Sequence, residues 1–236
     1  MIFFSVLFTL DGRDSKENLY VHMLLLLFKS MQYKSTFSGR DSFYIMTDSD
    51  TAPLIPSSFK IVIMPKPKTV LEGISWRYEF FDHIQYSEDE TYQFLDLDML
   101  NSKPFLLNLT PDTIAVFPEG SADDSNYTGD MGHLDHPGLS AGFWAIRPGP
   151  RTLKLLMDIR HLIQVNIGKN FYTVEQPMFN QAIKGGLPYI VYFSPTTLSF
   201  NGHTNKGTAH WLNMCGVPGD DRFHFDKMLR MFLTLA

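Results

Sequence analysis

Asp96 and Asp98 stand two residues apart at the end of the apolar run Tyr92-Gln93-Phe94-Leu95, and Met99-Leu100 follows them. In an extended chain, residues i and i+2 point the same way. Two acids on one side of a buried strand end repel each other and are costly to desolvate. A hard divalent cation between them relieves both penalties. Mg²⁺ and Mn²⁺ take oxygen ligands, and Mg²⁺ commonly needs only one or two carboxylates beside substrate phosphates. The competing reading of Asp-x-Asp is a solvated turn or a helix cap. The apolar flanks favour a buried strand that leaves into the turn Asn101-Ser102-Lys103-Pro104.

The segments that must position this pair read as alternating strands and helices. The spacing predicts a strand over 3–9, a helix over 17–31 capped by Asp14 or Ser15, and strands over 41–47 and 59–64. A helix over 76–86 and a solvated acidic loop, Ser87-Glu88-Asp89-Glu90, precede the Asp96 strand. Short apolar runs bounded by turn formers mark strands buried on both faces of a parallel sheet. The order predicts an α/β fold with a mostly parallel central sheet flanked by helices. Ligands of such sheets bind beyond the carboxyl ends of the strands. Asp11, Asp48, Asp96 and Asp98 all fall at such ends, so one crevice collects them.

The second half continues with a strand over 113–117 and a polar, acidic loop over 118–130 that carries the sequon Asn126-Tyr127-Thr128. Ser140-Ala141-Gly142 then opens a strand that runs to Ile146. Small residues there let a ligand approach closely; tight packing of the strand start is the equal alternative. An amphipathic helix over 152–164 and a short helix over 175–183, with Pro177 in its first turn, come next. A strand over 189–193, a short strand over 209–212 and a helix over 227–235 complete the reading. With no internal repeat or long linker, residues 1–236 read as one domain.

Composition narrows the function classes. The 236 residues are 44% hydrophobic and 14% aromatic, enough for a sizeable core. The net charge of −5 comes without a basic block, which argues against nucleic acid as the partner. The single cysteine, Cys215, excludes an intrachain disulfide and a cysteine-based zinc cluster. The apolar start lacks a basic flank and meets Asp11-Gly12-Arg13-Asp14, a poor cleavage site. The run from Met23 to Phe28 is far shorter than the about 20 residues of a membrane span. The expected location is cytoplasmic, with no membrane span.

Taken in order, these residues resemble the nucleotide-sugar-dependent glycosyltransferases of the GT-A fold, especially the glycogenin and galactosyltransferase-like enzymes of family eight. The likeness runs from residue 3 to about His210. It implies a GT-A-like, Rossmann-like domain with a nucleotide-sugar half over about 1–110 and an acceptor half over about 111–236. Phe8-Thr9-Leu10 corresponds to the strand end that cradles the base, and Arg77 to the basic residue before the metal motif. Asp48 joins the donor crevice. Asp96-Leu97-Asp98 is the metal motif, completed by His210, and the cation implied is Mn²⁺ or Mg²⁺. Ser140-Ala141-Gly142 stands where the family has Asn-Ser-Gly, and Glu175-Gln176 where it has Asp-Gln. The family's C-terminal Lys-Pro-Trp has no counterpart. Cys215-Gly216-Val217-Pro218-Gly219 stands there instead, with Lys206 the available replacement for the phosphate-holding lysine.

The activity implied is transfer of a sugar from a nucleoside-diphosphate donor, UDP-linked, to a glycan or other hydroxyl acceptor, with retention. Retention would place Glu175 or Gln176 near the anomeric carbon. Inversion would need a carboxylate base, for which Asp135, Glu175, Asp220 and Asp221 are candidates. Trp144, Trp211 and His136 are candidates for lining an acceptor site, although a buried Trp is more often core.

Two other readings stand beside this one. Met131-Gly132-His133-Leu134-Asp135-His136 resembles the His-x-His-x-Asp-His motif of metallo-β-lactamase-fold hydrolases, with Met131 in place of the first histidine. His133, Asp135 and His136 would then serve a water-activating zinc site. The third reading is a nucleotide-sugar-binding protein without turnover.

Overall fold

The first apolar run becomes the middle of a sheet. β1 (Ile2–Val6) buries every residue from Phe3 to Val6 and lies parallel to β2 (Ser42–Asp48) on one side and to β4 (Tyr92–Leu95) on the other. A computed structural model describes residues 1–166, 174–200, 209–214 and 221–235. β3 (Lys60–Met64) forms one edge, parallel to β2. Beyond β4 the direction reverses. β7 (Gly138–Arg147) runs antiparallel between β4 and β6 (Thr113–Gly120), and β8 (Ile190–Tyr192) is parallel to β6 at the far edge. The result is a seven-stranded, largely parallel mixed sheet of order β3-β2-β1-β4-β7-β6-β8. A second sheet of order β5-β10-β9 joins β5 (Met99–Asn101), β9 (Leu198–Phe200) and β10 (Trp211–Asn213).

Successive strand residues face opposite sides of the sheet, and this splits the core in two. Phe3, Phe43, Leu95 and Phe143 pack with α1 (Tyr20–Tyr33), α6 (Asp221–Leu235) and the small sheet. Phe4, Met46, Phe94 and Trp144 pack with α2 (Val70–Ser75), α4 (Pro150–Val165) and α5 (Glu175–Ala182). α6 lies parallel to α1. The His22 and Phe225 rings meet at 5.7 Å near the two starts, and Lys34 Nζ donates to the Leu235 carbonyl at 2.8 Å near the two ends. Among the described residues, no helix is long and apolar enough to cross a membrane.

The structure corrects four local expectations. Residues 76–86 form 3-10 turns over Trp76–Tyr78 and Phe80–Asp82, not a helix; the α-helix precedes them, with Thr69 as its N-cap. Trp76, Tyr78, Phe80 and Phe81 are all buried, and at 3.6 residues per turn an α-helix would set 76 and 78 on opposite sides. The turns let Phe80 stack on Phe4, with centroids 4.1 Å apart, and Phe81 meet Tyr92 edge-on at 5.1 Å. The first helix starts at Tyr20, after a 3-10 turn capped by Asp14, because Asn18 accepts from Tyr20 N and donates to the Phe8 carbonyl. β4 stops at Leu95, so the acid pair lies in a turn and Met99 starts a strand of the other sheet. β6 runs on to Gly120, and within the expected loop Asp124 caps α3 (Ser125–Thr128).

Candidate functional site

The chain leaves β1 through α1 to reach β2 on one side, then returns through α2 to place β4 on the other. Strand order therefore reverses between β1 and β4, and a crevice opens beyond their carboxyl ends. Thr9 and Leu10 follow β1 into this crevice, and Asp96-Leu97-Asp98 follows β4.

The turn is held from below. Leu97 is buried in the core, while the acids on either side keep partial exposure. Asp96 N donates to the Gly142 carbonyl at 3.1 Å. A Cβ on Gly142 would lie 2.1 Å from Asp96 Oδ2, so β7 must carry a glycine for Asp96 to lie against it. We expect Gly142→Ala to lower stability by about 1–3 kcal/mol, because the methyl displaces the carboxylate. Urea melts check this; a variant as stable as wild type would show that Asp96 can sit elsewhere without loss.

Asp98 differs from its neighbour. Its carbonyl accepts Met214 N at 2.8 Å, but its Oδ1 is buried without a hydrogen-bond partner. Such an atom costs free energy until something binds it. Burial pushes the Asp98 carboxyl up to about 6, and a hydrogen bond from its own backbone N–H, then Lys227 and Arg77, only partly oppose it. Burial likewise raises Asp96 to about 7, against the pull of Arg77 and with the push of Asp98 and Glu175.

Arg77, expected to face phosphate, is turned inward. Its Nε donates to the Ile74 carbonyl and its Nη1 to the Ala141 carbonyl, both at 3.0 Å. Nη2 lies 3.2 Å from Asp96 Oδ1, and Nη1 lies 3.5 Å from Glu175 Oε1. The guanidinium also covers the Phe94 ring at 4.3 Å. Burial opposes its charge, but Asp96 and Glu175 outweigh that and hold its pKa above the ordinary value. Arg77 is therefore a strut between α2, β7, α5 and the acid turn.

Glu175 is the other end of that strut. It is buried, and its Oε1 also accepts the Tyr78 hydroxyl at 2.5 Å. Gln176 Oε1 accepts Ala141 N at 3.3 Å, and Asn180 bonds to both the N–H and the carbonyl of Leu139. α5 is thus laced to the small-residue start of β7. Ser140 within it is a hydrogen-bond partner of Glu119, as is Tyr127.

Glu119 was not foreseen from the sequence. It stands near the carboxyl end of β6, on the same sheet edge as Asp96. Burial pushes it up to about 7 despite those two hydrogen bonds, with Asp96 adding to the rise. The signal was an acid near a strand end, as for Asp96, but the expected strand stopped at Phe117. A cavity of about 500 Å³ adjoins it, lined in part by Gly120, Ser121, His133 and Asp135.

Other expected residues take structural places. Asp48 Oδ2 accepts Thr9 N at 2.9 Å and Thr51 Oγ1 at 2.7 Å, while Oδ1 accepts the N–H groups of Asp50 and Thr51. Burial would raise its pKa, but these bonds win and hold it below the ordinary carboxylate value. It clasps the ends of β1 and β2. The Phe8 ring covers Gly73 and meets Trp76 edge-on at 5.5 Å. Trp144 and Trp211 are 0% exposed and belong to the core, so neither is a sugar platform.

The structure does not bring His210 to the acid pair. In the β5–β10 register, Asn213 faces Met99 and Trp211 faces Asn101, which puts His210 beside Ser102. That is four residues along from Asp98, roughly 13 Å at 3.3 Å per residue. His210 Nδ1 instead meets the Pro104 carbonyl at 2.7 Å. The zinc-hydrolase residues His133, Asp135 and His136 line one cavity, with His136 Nε2 3.9 Å from Asp135 Oδ1, but each is engaged elsewhere. His133 pairs with Asp123 at 2.5 Å, Asp135 accepts Gly185 N, and both ring nitrogens of His136 face backbone carbonyls. Among the described residues, no group of three or more His, Cys, Asp or Glu side chains is arranged to hold a metal. Lys206, Asp220 and residues 215–219 lie outside the described residues. No protein family and no curated protein matches this chain at a significant level.

Proposed function

We propose that the chain is a metal-dependent glycosyltransferase of the GT-A type, which moves a sugar from a nucleoside-diphosphate donor, UDP-linked, to a hydroxyl of a glycan or similar acceptor. One observation carries the reading. At the crevice where strand order reverses, Asp98 presents a buried oxygen without a partner, beside a second carboxylate. This donor set fits a hard cation that takes two protein carboxylates and completes its shell with water and substrate phosphates. Asp96 and Asp98 would hold it, without His210. When bound, Mn²⁺ or Mg²⁺ supplies Lewis-acid stabilisation of the charge that builds on the leaving diphosphate.

The chain's own groups do the rest. Leu97 and the Gly142 carbonyl fix the turn. Arg77 orients Asp96 from behind and keeps Glu175 in place. Thr9 and Leu10 border the base end of the crevice, with Phe8 behind them. Gly142 makes room for the Asp96 carboxylate, and the buried Ser140 and Ala141 are tied to Glu119, Arg77 and Gln176. Glu119 holds an exchangeable proton near neutral pH, as acid–base work on a sugar hydroxyl requires. Retention, the outcome that the family resemblance implies, is the one we favour; Glu175, bound to Arg77 and Tyr78, is not free to act as the base of an inverting enzyme. Acceptor sugars would enter past the cavity beside Gly120.

Thermal melting against a panel of nucleotides and nucleotide sugars, with Mn²⁺, Mg²⁺, Zn²⁺ or EDTA, tests this. A ligand of the native state raises Tm with its concentration over Kd. The expected result is a shift with UDP or a UDP-sugar that needs Mn²⁺ or Mg²⁺ and disappears with EDTA. A Zn²⁺ shift without any nucleotide shift would overturn the proposal and revive hydrolysis at residues 133–136.

A further inference from the structure

We propose that the cavity beside Gly120 is a subsite for the second sugar of a neutral oligosaccharide acceptor, with His133 and Asp135 as the side chains that hold it. The inference rests on the glycosyltransferase reading and names the acceptor class for it. The cavity, about 500 Å³ in volume, is lined by Gly120, Ser121, Ala122 and the run from His133 to Pro137. Its walls are fixed. Leu134 N donates to the Ala122 carbonyl at 2.9 Å, which ties the two lining segments together. The buried His136 points one ring nitrogen at the Pro137 carbonyl and the other at the Asn180 and Ile183 carbonyls, which ties the second segment to α5. Gly120 and Gly138 pair across β6 and β7, and the Tyr127 ring lies over both, where a Cβ on either glycine would overlap it.

Two lining side chains are aimed by one atom and keep another for a ligand. His133 is held at Nδ1 by Asp123, 2.5 Å away, which leaves Nε2 as its second hydrogen-bonding atom. Asp135 is held at Oδ1, where it accepts Gly185 N at 3.0 Å, which leaves Oδ2. Both side chains are open to solvent, at 69% and 60% exposure. Ala122, Leu134 and Pro137 add apolar surface. Apolar walls with a few fixed polar groups match a sugar ring, which shows C–H groups on its faces and hydroxyls at its rim. No lysine or arginine among the described residues lines the cavity, while Asp135, Asp123 and Glu119 stand in or beside it, so a phosphate, sulfate or uronate would be repelled. Position sets the length of the acceptor. Gly138, opposite Gly120, lies four residues before Gly142, against which Asp96 rests. That is roughly 13 Å along β7 at 3.3 Å per residue, further than one sugar ring reaches. Glu119, bonded to Ser140, stands midway. A sugar in the cavity therefore leaves the reacting hydroxyl to the next ring, which extends past Glu119 to the acid turn.

The test is release of UDP by the full chain with Mn²⁺ and the UDP-sugar that raises Tm. The acceptors are glucose, galactose and N-acetylglucosamine, the disaccharides maltose, lactose and chitobiose, and a sulfated form of each disaccharide. We expect at least one neutral disaccharide to exceed its own monosaccharide by about 10-fold or more in kcat/KM, because the single ring forgoes the binding energy of the cavity. The sulfated form should be no better than the monosaccharide. Asp135→Asn keeps an oxygen for Gly185 N and loses the charged acceptor, so it should raise KM for the disaccharide about 10-fold and leave KM for the donor and the rate with the monosaccharide unchanged. His133→Gln should raise the same KM several-fold. Asp130→Asn, exposed and outside the cavity, should change nothing. UDP binding with Mn²⁺, measured on every variant, separates a lost subsite from a lost fold. If wild type binds UDP with Mn²⁺ but uses no neutral disaccharide, uses monosaccharides or sulfated acceptors equally well, or keeps its acceptor KM in Asp135→Asn, the subsite is wrong while the glycosyltransferase reading stands. If wild type binds neither UDP nor a UDP-sugar with Mn²⁺, the underlying reading fails first, and this inference falls with it.

Discussion

Asp98→Asn is expected to abolish metal-dependent nucleotide binding, to cut sugar transfer by about 1,000-fold or more, and to make the metal-free protein more stable at pH 8. Loss of activity alone would fit many roles for Asp98; gain of stability fits few. One carboxylate oxygen is buried without a partner, and burial has pushed the carboxyl's pKa up to about 6. Asp96 at about 7 and Glu119 at about 7 are raised for the same first reason. The sign follows from linkage. An unfolded chain loses these protons near pH 4, whereas the folded chain keeps them to about pH 6–7. Over that window the folded state binds more protons, so stability falls as pH rises and then levels off. Metal-free wild type should lose on the order of 5 °C in Tm between pH 5 and pH 8. Asp98→Asn should reduce that fall to the share of Asp96 and Glu119, and Mn²⁺ should reverse it in wild type only. Calorimetry in EDTA and in Mn²⁺ measures both. A variant that melts lower than wild type at pH 8 and still shows a Mn²⁺-dependent nucleotide shift would make Asp98 a structural residue and remove the central support of the proposed function.

The sequence carried the sheet better than it carried the site. Continuous apolar runs such as Phe3 to Val6 and Phe43 to Met46 can be buried on both faces only inside a covered sheet, so β1, β2 and their flanking helices were legible. The reversal at β7 was not, because an antiparallel strand buried on both faces has the same apolar pattern as a parallel one. The aromatic stretch after Ser75 misled because spacing suited to a helix also suits a set of turns that send rings into different niches. Asp96 and Asp98 were visible as residue types at a strand end, and Gly142 as one of a run of small residues, although that run lies within β7 and does not open it. What their partners do was not visible. Arg77 precedes the acid turn in the sequence as a phosphate-binding arginine would, yet its contacts are set by Glu175, almost a hundred positions later, and by the carbonyl of Ala141. His210 was assigned from order along the chain, whereas the β5–β10 register decides its distance from Asp98.

Arg77→Leu separates the strut from a phosphate contact. If Arg77 is a strut, its removal leaves Glu175 buried beside Tyr78 with no counter-charge, and frees Asp96 from its orienting partner. The Ala141 and Ile74 carbonyls also lose their donors. Breaking a buried ion pair by removing one partner costs about 3–5 kcal/mol, which for a chain of this size lowers Tm by roughly 10 °C. Turnover should fall as well, since Asp96 no longer holds its place at the crevice. The double variant Arg77→Leu/Glu175→Gln should recover about half of the lost stability, because the charge left without its partner is gone, while activity stays low. A phosphate-contacting arginine would behave in the opposite way. Its loss would raise KM for the donor with little change in melting, and changing Glu175 as well would add a second penalty. Urea melts of the two single variants and the double, with donor kinetics on each, distinguish the two. A stability loss below about 1 kcal/mol for Arg77→Leu, together with weakened donor binding, would return Arg77 to the phosphate side of the site.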